Sequence, residues 1–80
     1  MKQPEIQRTL AKMVQVILRN QPGFVLLGNV WMEWDGQNLS WDIPHQEWDI
    51  DAVCDSLMRQ IAHHPEIEYL AKFAVGFSHL

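Results

Sequence analysis

An 80-residue chain makes one domain, and at this length folding buries only about 60–65% of the unfolded surface, so the core is marginal. Hydrophobic residues at 48% and charged residues at 20% exclude a disordered chain, and the longest apolar runs, residues 16–18 and 24–27, fall far short of the roughly 20 residues a bilayer requires. The net charge of −4 is unevenly spread: residues 1–19 carry +3, residues 20–58 carry −7 without one lysine or arginine, and residues 59–80 carry zero.

That acidic middle disfavours direct nucleic-acid binding, which sets cations against phosphate, and allows an electropositive partner. A single cysteine, Cys54, permits no internal disulfide and fits a reducing compartment. Lys2 is followed by a polar, proline-containing stretch and not by an apolar signal region. The expectation is a cytoplasmic protein with no membrane segment. The sequon Asn38-Leu39-Ser40 then reads as a chance match.

Pro4 suits the first turn of a helix. Ile6, Leu10, Met13, Val14 and Ile17 recur at the helical period and cover about 100° of arc, with Arg8, Lys12, Gln15 and Arg19 opposite. Asn20-Gln21-Pro22-Gly23 stops this helix, which is predicted over roughly 4–20.

Residues 24–34 turn β-like and are predicted as one strand, with Gly28 inside it marking a bulge or a close approach. Asp35-Gly36 signals a hairpin. With Gly36 and Gln37 as the loop, Trp34 faces Leu39, Glu33 faces Ser40, Met32 faces Trp41, Trp31 faces Asp42 and Val30 faces Ile43. This register gathers Trp34, Leu39, Met32, Trp41, Val30 and Ile43 on one face, and Glu33, Ser40, Trp31 and Asp42 on the other. A slip by one residue would mix the two sets.

Pro44 ends the second strand. Asp49 is an N-cap residue, with Trp48 and Val53 at the N′ and N4 positions of a hydrophobic staple. Ile50, Val53, Cys54, Leu57, Met58 and Ile61 form the apolar stripe of a second helix ending at His63-His64-Pro65. Asp51 and Asp55 suit its positive end, and Asp55 can pair with Arg59. Ile67, Leu70, Ala71 and Ala74 predict a third helix over 66–75, with Gly76 as its stop. Alternation of Phe73, Val75 and Phe77 is the competing strand pattern. The expected fold is α+β, a single domain of order α-β-β-α-α with an antiparallel hairpin packed against helices.

Chemistry-bearing patterns are weak. Cys54 lies within an apolar stripe and reads as a small buried hydrophobe. Adjacent His63 and His64 lack the spacing of a zinc pair, and Asp49-x-Asp51 lacks the later residues of a calcium loop. No nucleophile elbow or phosphate loop occurs, so no enzymatic activity, cofactor or metal is expected.

Trp34 and Trp41 are expected in the core. Trp31 lies among acids on the other sheet face, where either the third helix covers it or it is exposed. Tyr69 and Phe73 form a second face of that helix, read either as buried on two sides or as a docking surface. The functional expectation is a small protein–protein interaction protein. Its candidate surface is Trp31, Glu33, Asp42, Glu47, Asp49, Asp51, Tyr69 and Phe73. A homodimer is one form of it, in which the overhanging residues 24–29 add to a second copy and complete a four-stranded sheet. The alternative is an acidic nucleic-acid mimic that inhibits a DNA- or RNA-binding protein. Phosphate contact by the basic face of the first helix ranks third.

Overall fold

The computed structural model describes residues 3–73. The order is α1 (Gln3–Ile17), β1 (Gly23–Leu27), β2 (Val30–Trp34), β3 (Leu39–Trp41), a short 3-10 turn at His45–Glu47, α2 (Ile50–His63) and a 3-10 segment at Pro65–Leu70 that continues helically to Phe73. The fold is α+β: an antiparallel sheet of order β1-β2-β3 carries the helices on one face.

The expected single strand over 24–34 is corrected to two strands. The chain folds back at Gly28-Asn29, pairing Leu27 with Val30 and, at the far end, Gly23 with Trp34. Gly28 has φ +61 while Asn29 has no positive φ, the type II′ pattern that matches the twist of a hairpin. Residues 24–27 are therefore not an overhang, and the four-stranded dimer built on that overhang falls away. The second hairpin has the expected register, with Trp34 opposite Leu39, Glu33 opposite Ser40 and Met32 opposite Trp41. Asp35 builds its turn: Oδ1 accepts from the N–H groups of Gln37 at 2.8 Å and Asn38 at 2.7 Å. These two bonds favour the carboxylate and hold the Asp35 pKa below its ordinary 3.8.

Helix α1 buries Ile6, Leu10, Met13 and Val14 and exposes Arg8 and Lys12, as its periodicity requires. It ends at Ile17, earlier than the proline and glycine signals indicate. Asn20 N–H donates to Gln15 O at 2.8 Å and Arg19 N–H to Val16 O at 3.0 Å, the paired bonds of a Schellman motif. Arg19 and Asn20 take φ of 54° and 62° to make it.

Asp49 caps α2 by accepting from Ala52 N–H at 3.2 Å. Val53, Leu57 and Ile61 are buried, while Cys54 is only half-buried and Met58 is exposed. The C-terminal segment packs chiefly on α2 and α1, and is kinked at Ile67 where the backbone leaves helical angles. Residues 74 and 75 of the predicted third helix, and most of the alternation that competed with it, lie outside the described residues.

One core joins the layers. Val30, Met32, Trp34 and Leu39 descend from the sheet onto Leu10, Met13 and Val14 of α1 and Val53 and Leu57 of α2. Trp48 belongs to this core: its Nε1 donates to Ile43 O at 3.1 Å, and its ring meets Trp41 edge-on at 5.1 Å. A buried indole with its N–H satisfied contributes its full apolar area without a desolvation penalty.

A candidate protein-docking face on the sheet

Strand alternation decides what the outer face of the sheet carries. Residues 25 and 27 of β1 turn toward the helices, so Phe24 and Leu26 turn away. Residues 30, 32 and 34 of β2 are buried, so Trp31 and Glu33 point outward. Cross-strand pairing sets Leu26 opposite Trp31 and Phe24 opposite Glu33, with Ser40 beyond Glu33 on β3. Phe24 is 63% exposed, Leu26 46% and Trp31 50%.

Asp42 closes the far side. Its N–H donates to Trp31 O at 3.2 Å, and its Oδ1 accepts the Trp31 N–H at 3.1 Å. The carboxylate thus replaces a backbone carbonyl just past the end of β3 and fixes the Trp31 backbone. A shallow groove of about 160 Å³ results, lined by Phe24, Trp31, Glu33, Ser40, Trp41 and Asp42. Its walls are aromatic and its charged groups, Glu33 and Asp42, are acidic. An aromatic face beside carboxylates attracts a guanidinium or ammonium group by cation–π attraction and ion pairing together.

The structure brings three of the eight expected surface residues together here: Trp31, Glu33 and Asp42. Glu47, Asp49 and Asp51 are exposed at the start of α2 and do not line the groove. Asp49 is occupied as the N-cap, and its N–H donates to Asn29 Oδ1 at 2.8 Å. Tyr69 is exposed on the C-terminal segment, away from this groove's lining. Phe73 is a correction: it is buried in the core, because the segment winds as a 3-10 helix through Leu70 and the i, i+4 spacing of an α-helix no longer sets Phe73 beside exposed Tyr69. Phe24 and Leu26 complete the face and were missed. The signal for them was Gly28-Asn29, a hairpin dipeptide that folds residues 24–27 back beside 30–33.

Among the described residues, no group of three or more His, Cys, Asp or Glu is placed to hold a metal ion, and no helix is long and apolar enough to cross a membrane. Comparison of the chain with protein families, with curated proteins and with solved structures finds no match.

Proposed function

We propose that this protein is a non-enzymatic binding module that docks another protein on the outer face of its sheet. The observation that carries the reading is the run of three exposed apolar side chains, Phe24, Leu26 and Trp31, bordered by the carboxylates of Glu33 and Asp42. Water-exposed Trp and Phe in one patch are the residue types that dominate interface energies, and the adjacent acids set the complement. The partner is a protein segment with arginine or lysine beside apolar side chains. The stretch between positions 20 and 58 contains no lysine or arginine, which supports that choice. Half-buried Cys54, the single cysteine of the chain, is in keeping with a reducing cytoplasm.

Two probes test this: an array of peptides with Arg or Lys between apolar residues, and a basic nucleic-acid-binding protein. The wild type is expected to hold a subset of the peptides, less tightly as salt rises. Trp31→Ala should weaken that binding by about thirtyfold, the roughly 2 kcal/mol of an interface anchor, and Glu33→Lys should abolish it. Peptide binding unchanged in both variants would sink the reading. The acidic mimic would take its place if the basic protein bound instead, insensitive to Trp31→Ala and lost on neutralising Glu47, Asp49 and Asp51. The first reading is preferred because three acids a mimic surface would draw on already serve the fold and lie outside the docking face: Asp35 in its turn, Asp49 as cap and Asp55 on Arg59.

A further inference from the structure

The sheet has two edges, and they are treated differently. Strand β3 is three residues long, and its outward Leu39 carbonyl accepts from Gln7 Nε2 of α1 at 3.4 Å. Among the described residues, strand β1 has no such cover. In a two-residue hairpin the residues flanking the loop bond to each other, so Leu27, Val25 and Gly23 direct their N–H and C=O groups to β2. Phe24 and Leu26 direct theirs out of the sheet. Among the described residues these two N–H donors and two carbonyls meet no hydrogen-bond partner.

Proteins that stay monomeric blunt an open edge with lysine, proline, a bulge or a covering segment. The β1 sequence Gly-Phe-Val-Leu-Leu contains no charge and no proline, and its pairing with β2 runs without a bulge. Its two outward side chains are exposed apolar groups, and Val25 on the inner face is only half-buried against the core. The acids of the outer face stand on β2 and just past β3, so two β1 edges can meet without opposing charges.

We propose that β1 pairs antiparallel with β1 of a second copy, about a two-fold axis at Val25. Phe24 N–H then donates to the partner's Leu26 carbonyl, the Phe24 carbonyl accepts from the partner's Leu26 N–H, and the symmetry repeats both bonds. Every outward donor and acceptor of the strand is satisfied by an identical strand, which is the self-complementarity a two-fold interface demands. Val25 meets its own copy on the helix side. The product is a six-stranded sheet whose outer faces run together, doubling the Phe24, Leu26 and Trp31 surface. This inference rests on backbone accounting and goes beyond the docking reading. A five-residue edge is small against the roughly 1,200 Å² of a stable interface, so association is expected to follow concentration.

Sedimentation of the full chain from low to high micromolar concentration tests it, alongside amide exchange read by NMR. The expected mass rises from the monomer's 9.4 kDa to twice that value. The Phe24 and Leu26 amides should become protected in step with the mass, whereas Val25 and Leu27 stay protected throughout. Phe24→Pro removes an outward donor that β2 does not use, and Leu26→Lys places a charge on the edge; both should remain monomeric with a native circular dichroism spectrum. Trp31→Ala leaves the edge backbone intact and should still dimerise, so failure of the docking reading and failure of this one are separable. A monomer at high micromolar concentration overturns the proposal. So does a dimer in which the Phe24 and Leu26 amides exchange freely, or their protection in a monomer independent of concentration.

Discussion

Trp31 and Trp34 are three residues apart in one strand and have opposite fates. Trp34 is buried under α1, and Trp31 stands half in water opposite Leu26. Trp34→Ala should cost about 3–5 kcal/mol, the range for removing a buried aromatic. Trp31→Ala should cost under about 1 kcal/mol, the worth of one cross-strand pair. Denaturant unfolding of the two variants measures this contrast. Asp35 offers a pH test at the same scale. Its folded pKa lies below 3.8 because two backbone N–H groups bond the ionised form. A depressed carboxylate adds stability that is present above its unfolded pKa and is lost as pH falls through the folded value. Stability should therefore decline on acidification below about 3.8. Asp35→Asn keeps the acceptor but cannot titrate, and should flatten that part of the profile in a series of unfolding curves.

Between elements, the turn at Gly28-Asn29 decides how the sheet meets α2. Gly28 N–H donates to Ser56 Oγ at 2.9 Å, Asn29 Nδ2 to Glu47 O at 3.1 Å, and Asp49 N–H to Asn29 Oδ1. A Cβ at Gly28 would stand 2.6 Å from Val53 N and 2.9 Å from the Ala52 carbonyl carbon. Those are backbone atoms of a helix and cannot swing aside. Gly28→Ala combines this clash with a left-handed φ, and is expected to cost about 2–4 kcal/mol. Thermal melts would check it; a variant as stable as the wild type would show that the turn does not rest on α2 this closely. The close approach is legible in sequence as a glycine interrupting an apolar run. Its cause is not, because the neighbour is α2, more than twenty residues further along.

For the whole molecule, the decisive feature is a sheet that, among the described residues, carries helices on one side only. Helix α1, the second hairpin and the capped start of α2 were legible because each rests on local signals: a 3.6-residue period, Asp35-Gly36, and Asp49 ahead of an apolar stripe. The third strand was obscured because residues 24–27 are apolar at every position, so alternation does not separate the face that Phe24 and Leu26 present from the face of Val25 and Leu27. Local chemistry along the chain thus determined an α+β domain, its caps, the register of its second hairpin and the division of Trp31 from Trp34; Trp41, expected in the core, is only half-buried, packing on the core while also lining the outer groove. Which apolar residues stay in water was decided only in three dimensions. Phe73 is drawn into the core by the packing of the C-terminal segment on α1 and α2, and Phe24 and Leu26 are left outside because no described element covers that face. Burial depends on what the rest of the chain supplies as cover, and that is a property of the assembled fold.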